Sequence, residues 1–349
     1  MSKSNITVLV TGGTGFVAIH AIVQLLHNDY RVKTTVRSLK SKDKILNMLK
    51  NDGVQDLTKI EFIEADLTND KNWIQAASNC TYVLHIASPI FLALPKNEDE
   101  MIRPAVDGTL RVLRAAKTAG VKRVVMTSNF GAVGYSHKNK ETVITEESWT
   151  DPNEKGLSPY NKSKVLAEKA AWEFIENEGA DMEFATVNPM GIFGPSLGPE
   201  LSSGFGLLQK VLDGSMKAIP DIRLGIVDVR DVAGLHIRAM EQPQANGQRF
   251  LALAGGTMSL LEIVKLLKKQ LPTATYKATT TPLPTWLLRI MALFNKQAKS
   301  LLPLAGIYRN ASNEKAIKML GWEPRSNEEA IVASVESMIK WGTLTTSIK

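Results

Sequence analysis

Short apolar runs rich in β-branched residues alternate with longer segments of helical periodicity along the first half of the chain. We predict strands over residues 6–10, 31–36, 60–65, 82–87 and 123–127. Runs of this kind are typical of strands that are buried on both faces of a parallel sheet. The alternation of strands and helices therefore predicts an α/β fold built on a doubly wound parallel sheet.

After residue 187 this rhythm changes, and helical patterns dominate. A loop rich in Gly, Ser and Pro at 194–206 precedes an apolar helical stretch at about 207–212. Ser259 and Glu262 have the spacing of a capping box, which predicts that a helix begins there. We expect the second half of the chain to form a smaller, mostly helical part.

The first predicted strand passes directly into a glycine-rich turn and then into a helix. A strand, a glycine-rich turn and a helix in this order form the context of a dinucleotide-binding fingerprint. Gly12 allows the tight turn, Gly15 lets the backbone approach a pyrophosphate, and Ala18 keeps the helix close to the strand. The phosphates would lie over the helix N-terminus, where free N–H groups and the helix dipole favour an anion.

The second predicted strand ends in Arg37. An acidic residue at this place binds the ribose 2′-hydroxyl of NAD, whereas an arginine suits the 2′-phosphate of NADP. We therefore predict that NADP(H) is preferred over NAD(H). The lysines that follow, Lys40, Lys42 and Lys44, either add to this cationic region or form the solvated face of the next helix.

Tyr160 and Lys164 lie four residues apart at the start of a predicted long helix. Residues with this spacing share a helix face, with Cβ atoms roughly 5–6 Å apart. A nearby ammonium favours phenolate and lowers a phenol pKa that is ordinarily about 10. The pair therefore predicts a tyrosine that exchanges a proton with a substrate oxygen.

Together these motifs resemble the extended short-chain dehydrogenases/reductases, and most of all the dihydroflavonol reductase-like branch with its aldehyde and methylglyoxal reductases. The resemblance covers about residues 5–340, nearly the whole chain. It implies a Rossmann-type domain over residues 1–189, with return segments at about 222–257. It also implies a substrate-binding lobe formed by residues 190–221 and 258–349. The segments that carry it are 11–18, 35–37, 65–67, 160–164, 167–174, 187–195 and 228–233.

The resemblance assigns Tyr160 as the proton donor to the carbonyl oxygen, with Lys164 lowering its pKa and binding the nicotinamide ribose. The family's third catalytic residue is a serine at the end of the fifth strand, where this chain has Asn129. Three possibilities follow: the Asn129 amide holds the carbonyl, the strand end twists to present Ser128, or the chemistry is impaired.

The cofactor contacts follow from the glycine turn, the strand ends and the resemblance. Asp66 and Leu67 follow the third strand near the expected adenine position, and residues 189–195 would close against the nicotinamide. The predicted contacts are Thr11, Gly12, Thr14, Gly15, Phe16, Val17, Arg37, Lys44, Asp66, Leu67, Ala87, Ser88, Pro89, Tyr160, Lys164, Pro189, Gly191 and Ile192.

Two lobes with apolar walls imply a pocket for a small, largely apolar carbonyl compound. The predicted wall residues are Phe91, Phe130, Tyr135, Met190, Phe205 and Leu224. Residues 286–294 form the most apolar stretch, but it is far shorter than the roughly 20 residues that cross a bilayer. We expect a core helix or a cover over the pocket there, with an interfacial anchor as the alternative, and no stable membrane insertion.

Composition narrows the picture further. The net charge is +7, but acidic residues are interspersed among the basic ones, so we predict no nucleic-acid partner. The single cysteine, Cys80, allows no intrachain disulfide and fits a cytoplasmic location, as does the polar N-terminus. The five histidines form no cluster with ligand spacing, so we predict no metal. Oligomeric state does not follow from the sequence.

The leading hypothesis is an NADPH-dependent reductase of aldehydes or ketones that also works in reverse. A sugar-nucleotide epimerase or dehydratase uses the same fold, and Lys210, Lys217 and Arg223 keep that alternative open. A sterol-type dehydrogenase is supported only by the apolar residues 286–294. A non-catalytic NADP-binding sensor is supported by Asn129.

Overall fold

The computed structural model describes residues 2–89, 97–137, 139, 141–200, 202 and 204–346. Its strands are β1 (Thr7–Val10), β2 (Arg31–Val36), β3 (Ile60–Glu64), β4 (Tyr82–His85), β5 (Arg123–Thr127), β6 (Glu183–Pro189), β7 (Gly191–Phe193), β8 (Ile219–Pro220), β9 (Arg223–Leu224), β10 (Ile226–Asp228), β11 (Gln248–Ala252), β12 (Met258–Ser259) and β13 (Pro282–Leu283).

Helices separate the strands of the first half and make up most of the second. They are α1 (Phe16–His27), α2 (Lys42–Asn51), α3 (Trp73–Ala77), α4 (Asp99–Thr118), α5 (Pro159–Glu178), α6 (Phe205–Leu212), α7 (Val229–Glu241), α8 (Leu260–Gln270), α9 (Thr285–Phe294), α10 (Lys296–Leu301), α11 (Glu314–Leu320) and α12 (Asn327–Lys340).

A seven-stranded parallel sheet forms the centre of the molecule, with the strand order β11-β6-β5-β4-β1-β2-β3. The order reverses between β1 and β4. Ligands of such sheets bind in the crevice that this reversal opens at the carboxyl ends of the strands. The predicted fold class is confirmed.

Both faces of the sheet are buried, which explains the continuous apolar runs of its strands. Successive residues point to opposite faces, so Val8 and Val10 lie in the cluster that contains α1 and α7. Leu9 lies in the other cluster, with residues of α4 and α5 such as Leu113 and Phe174.

A third apolar cluster holds the helical part together and includes Phe205 and Leu208 of α6, Ile263 of α8 and Val335 of α12. The predicted capping box begins α8: the Glu262 N–H donates to Ser259 Oγ at 3.1 Å, and the Ser259 N–H donates to the Glu262 carboxylate at 2.6 Å. The division into two domains at the boundaries given above stays a prediction.

The apolar residues 286–294 form α9, and the expectation of a core helix is wrong. Leu288 is the buried residue of this helix. Trp286 is 63% exposed and Phe294 is 89% exposed, because the apolar side of α9 opposite Leu288 faces solvent. Among the described residues, no helix is both long and apolar enough to span a bilayer.

Candidate active site

The glycine turn lies at the carboxyl end of β1, beside the end of β4. Gly12 has a φ of +73°, and a Cβ built there would lie 2.9 Å from the Ala87 Cβ. Its N–H donates to Thr35 Oγ1 at 2.9 Å. Gly15 is the N-cap of α1, so no side chain covers the first N–H groups of this helix. This cradle fits the pyrophosphate of a dinucleotide.

Thr11 fixes the end of β4 against the turn. Its buried hydroxyl accepts the N–H groups of Ile86 at 3.0 Å and Ala87 at 2.9 Å, and it lies 3.0 Å from His85 Nδ1. Burial, with a smaller contribution from the charge of Lys164, lowers the pKa of His85 to about 3, so the ring is neutral. The Thr11 side chain therefore positions the loop after β4. Of the other predicted residues of the turn, Thr14 is exposed, and the side chain of Val17 belongs to the core.

The adenosine side of the crevice contains Arg37 and Asp66 at the ends of neighbouring strands. Arg37 is exposed directly after β2. Asp66 accepts the N–H of Thr68 at 2.8 Å and its hydroxyl at 2.7 Å. These bonds, with a smaller contribution from the Arg37 cation, hold the pKa of Asp66 below its usual value. Lys44 forms an ion pair with Glu200, which joins α2 to the loop after β7.

Tyr160 and Lys164 lie on the first two turns of α5. Ser158 caps this helix by accepting the Asn161 N–H at 3.2 Å. The Lys164 Nζ lies 5.4 Å from the centroid of the Tyr160 ring. It donates to Ser88 Oγ at 2.6 Å, on the half-buried loop formed by Ala87, Ser88 and Pro89 after β4. The structure thus brings together the predicted tyrosine, the lysine and the end of β4.

The expected lowering of the Tyr160 pKa is absent from the structure. Although 47% of Tyr160 is exposed, the protein around its hydroxyl desolvates the phenolate, and this effect raises the pKa. The neighbouring phenol of Tyr135 raises it further. Burial also lowers the pKa of Lys164 to about 8. Spacing alone predicted the attraction between the two groups but not the larger cost of desolvation.

The residues at the end of β5 point in different directions. The Ser128 side chain is buried, and its hydroxyl donates to the Glu168 carboxylate. Asn129 caps the short 3₁₀ turn over residues 130–132, where its Oδ1 accepts the Gly131 N–H at 2.7 Å. This bond uses only the amide oxygen, which leaves the two N–H groups of the Asn129 amide as donors. The expectation that the strand end presents Ser128 disagrees with this geometry.

A buried polar cluster behind the strand end was not predicted. Glu168 accepts hydrogen bonds from Arg249 Nε at 2.7 Å and from Asn188 Nδ2 at 2.7 Å. The Arg249 guanidinium also stacks 3.7 Å from the Trp149 ring centroid. The sequence contained one signal, since Glu168 lies four residues beyond Lys164 on the buried side of a predicted helix.

The predicted substrate residues divide into two groups. Phe130, Tyr135 and Met190 share one apolar cluster beside the ends of β5 and β6, with the Phe130 and Tyr135 rings 6.4 Å apart. Phe205 is fully buried against Phe16, with ring centroids 5.4 Å apart, so it packs in the core, and its assignment to the wall stays a prediction.

The remaining predicted residues lie around this cluster or outside the described residues. Leu224 is half-buried and pairs with Met258 between β9 and β12. Pro189 ends β6 and is buried, while Gly191 and Ile192 begin β7, where the Gly191 N–H donates to the Gly225 carbonyl at 2.9 Å. Leu67 packs on Gly108 of α4. Phe91 lies outside the described residues.

Comparisons with known proteins show which proteins this chain resembles. Residues 9–253 match the model of the 3-beta hydroxysteroid dehydrogenase/isomerase family. A cinnamoyl-CoA reductase of Medicago truncatula is 34% identical over 345 residues, which are 97% of this chain and 98% of that protein. An anthocyanidin reductase of Vitis vinifera is 35% identical over 292 residues, 78% of this chain and 83% of that protein.

Solved structures of two reductases are also similar. The yeast methylglyoxal/isovaleraldehyde reductase Gre2 in complex with NADPH is 25% identical, with a TM-score of 0.81 over 97% of this chain and 99% of that one. Gre2 of Candida albicans in complex with NADPH is 29% identical, with a TM-score of 0.78 over 96% of this chain and 99% of that one.

Proposed function

This chain belongs to the 3-beta hydroxysteroid dehydrogenase/isomerase family, and from that premise we propose that it is an NADPH-dependent reductase of aldehydes or ketones. The reaction is reversible and yields an alcohol. The observation that carries the proposal is the contact of Lys164 with Ser88 and Tyr160, at the sheet edge that also holds the glycine turn. Similar proteins are named as reductases.

The chain is an NAD(P)-dependent oxidoreductase, with NADP(H) preferred over NAD(H). Gre2 structures that contain NADPH support this preference. So does the exposed guanidinium of Arg37 at the end of β2, where a 2′-phosphate would lie. The cradle around Gly12 and Gly15 would hold the pyrophosphate.

In the proposed mechanism, NADPH when bound supplies the hydride that reduces the carbonyl carbon. The Tyr160 hydroxyl donates its proton to the carbonyl oxygen. Its raised pKa keeps the phenol protonated and ready to donate at neutral pH. Lys164 then stabilises the phenolate that remains, and the Asn129 NH₂ group donates a hydrogen bond to the oxygen as negative charge develops there.

The test is NADPH consumption with a panel of apolar aldehydes, ketones and 3-oxosteroids, together with NADP⁺ reduction by 3β-hydroxysteroids and product analysis with UDP-sugars. We expect turnover with the aldehydes and ketones, and a fall of about 10²–10⁴-fold in kcat for Tyr160→Phe. Tyr276→Phe is the matched control, because Tyr276 is also 47% exposed but lies in the helical part after α8. Its kcat should match that of the native chain.

The other functions predict different results. A preference for the steroids would favour the sterol-type enzyme, which the family match keeps as the second candidate. Binding of NADPH without consumption of any substrate would favour the sensor. The proposal fails if Tyr160→Phe retains native kcat. A cytoplasmic location belongs to the same proposal and is supported by the single, buried Cys80.

A further inference from the structure

Arg309 is a half-buried cation beside the apolar cluster of Phe130, Tyr135 and Met190, which we call the substrate wall. Its guanidinium lies 4.0 Å from the centroid of the Tyr135 ring. Its Nε is buried and makes no hydrogen bond. No residue that the structure describes forms an ion pair with it. An arginine in this state has lost part of its hydration without gaining an acidic partner.

Backbone pairing fixes the position of Arg309. The Ile144 N–H donates to the Asn310 carbonyl at 2.7 Å, and the Ser312 N–H donates to the Ile144 carbonyl at 3.0 Å. Ile144 belongs to the same apolar cluster as Phe130. The segment that carries Arg309 is therefore tied to the substrate wall, although it lies more than a hundred residues away in the chain.

The wall lies close to the proposed proton donor. The phenol of Tyr135 is near enough to Tyr160 to raise the pKa of Tyr160. Arg309 therefore stacks on a residue that neighbours the proposed proton donor. The glycine turn and its phosphate cradle are at the ends of other strands.

Two arginines that are more deeply buried than Arg309 have the acidic partner that Arg309 lacks among the described residues. Arg123 donates to Glu183 at 2.7 Å, and Arg249 donates to Glu168 at 2.7 Å. Charged groups are rarely buried unless they are paired, because desolvation of an unpaired charge is costly. Desolvation also lowers the pKa of Arg309. A ligand that carries an anion would relieve this cost.

We propose that Arg309 binds a carboxylate on the substrate, so that the enzyme prefers oxo acids in which an apolar body joins the reacting carbonyl to the carboxylate. This inference rests on the proposed reductase function. The guanidinium fork matches a carboxylate through two parallel hydrogen bonds. A single cation stacked on Tyr135, whose ring belongs to the substrate wall, balances one negative charge rather than the two of a phosphate monoester.

The test compares two substrates that differ only in the charge: para-formylbenzoate and its methyl ester. We expect the native enzyme to have the higher kcat/KM for the acid. In Arg309→Met, kcat/KM for the acid should fall by about 10- to 100-fold, the usual size of a lost charged hydrogen bond. Activity on the ester and affinity for NADPH should stay within about threefold of native. Arg309→Lys should recover part of the loss.

Arg223→Met is the matched control. Arg223 also faces a tyrosine, with its guanidinium carbon 5.4 Å from the Tyr308 ring centroid, but it has Glu262 as a partner at 3.5 Å. This variant should keep the native preference for the acid. Equal losses on acid and ester in Arg309→Met would mean that the residue only supports the fold. A loss of NADPH affinity would mean that Arg309 binds the cofactor.

A binding measurement separates this inference from the proposed function. Calorimetry with para-hydroxymethylbenzoate and NADPH-saturated protein needs no turnover, because this alcohol cannot accept a hydride from NADPH. We expect Arg309→Met to bind this acid about 10-fold more weakly or worse, and the methyl ester with unchanged affinity. Turnover of the ester without any discrimination by charge overturns the inference but leaves the reductase. Charge-selective binding without turnover of either aldehyde supports the carboxylate site but overturns the reductase function.

Discussion

The cofactor edge and the substrate wall of this molecule are built in different ways. At the cofactor edge, a few residues close together in the chain form the turn, and internal hydrogen bonds hold it, such as those from Ala87 to Thr11 and from Gly12 to Thr35. The substrate wall combines Phe130, Met190 and Arg309, which meet only after the chain has folded. Short motifs form the cofactor edge, whereas segments that are far apart in the chain form the proposed substrate wall.

The two regions also differ in how their polar groups are satisfied. Thr11 is buried, and its hydroxyl has three partners within the protein. Arg309 has a buried Nε without any hydrogen bond. The glycine turn at the cofactor edge is therefore held by internal hydrogen bonds before a ligand arrives, whereas in our proposal the substrate wall leaves one charge for the ligand to neutralise. Mutations should consequently affect cofactor binding at one region and substrate selection at the other.

The strongest test of this difference is Gly12→Ala. An alanine there must adopt a φ of +73° and place its Cβ 2.9 Å from the Ala87 Cβ. The left-handed conformation alone costs about 1–2 kcal/mol, and the crowding displaces the loop that follows β4. We expect NADPH affinity to fall by at least about 100-fold, measured by fluorescence titration.

Gly247→Ala separates backbone strain from loss of the cradle. Gly247 has a φ of +72°, but a Cβ there has no neighbour within 4 Å. Gly247 lies just before β11, at the amino ends of the strands, whereas Gly12 lies at their carboxyl ends. This variant should lose stability in thermal unfolding and keep native NADPH affinity. Equal weakening of NADPH binding in both variants would show that the turn has no special role.

The next largest effect concerns the two residues at the end of β5. Removal of a hydrogen bond donor to a developing oxyanion typically costs about 10²–10³-fold in kcat. We therefore expect that loss for Asn129→Ala, with little change in NADPH affinity. Ser128→Ala removes a buried bond to Glu168, so it should lower stability by about 1–2 kcal/mol and leave kcat nearly native.

A large loss of kcat in Ser128→Ala, with nearly native kcat in Asn129→Ala, would instead show that Ser128 orients the carbonyl. It would require that the Ser128 hydroxyl leaves Glu168 when substrate binds. Single-turnover measurements of NADPH oxidation separate a slower chemical step from a slower product release in both variants. A loss confined to product release in Asn129→Ala would contradict the proposed donor role.

The sequence predicted most of the cofactor edge because its geometry is local. The turn around Gly12 follows from one strand, three glycines and one helix, and the pairing of Tyr160 with Lys164 follows from a single helix face. The direction of the Ser128 side chain and the burial of Phe205 depend on neighbours far along the chain. The pKa of Tyr160 likewise depends on desolvation, which no spacing encodes.

Arg37 provides a smaller effect that is confined to the cofactor edge. Loss of a charged contact with the 2′-phosphate costs about 10- to 100-fold in affinity. Arg37→Ala should therefore weaken NADPH by this factor and leave NADH unchanged, as measured by titration with each cofactor. Arg31→Ala is the control, because Arg31 begins the same strand at its opposite end, where its Nε donates to the Ser4 carbonyl at 3.3 Å. Equal losses for both cofactors would make Arg37 an ordinary surface residue.

The smallest effect is a pH dependence centred on Lys164. Burial lowers the pKa of Lys164 to about 8, so the free protein loses this ammonium charge as the pH rises through that value. An anionic cofactor binds better to the protein in which Lys164 is charged. Cofactor binding therefore raises the pKa of Lys164, and the protein takes up a proton. NADPH affinity should be constant below about pH 8 and fall above it, by at most tenfold per pH unit.

Two variants assign this slope to Lys164. Lys164→Met should bind NADPH with an affinity that no longer falls above about pH 8. Lys162→Met should keep the native slope, since Lys162 lies on the same helix but pairs with Glu98 at 2.7 Å. Because the pKa of Lys164 is lowered in the folded state, the unfolded chain binds more protons than the folded protein between about pH 8 and 10.5. Across that interval, the free energy of unfolding of the native protein should rise relative to Lys164→Met. If the difference in the free energy of unfolding between the two proteins does not change with pH, Lys164 keeps its ordinary pKa. The pH dependence of NADPH binding would then come from another group.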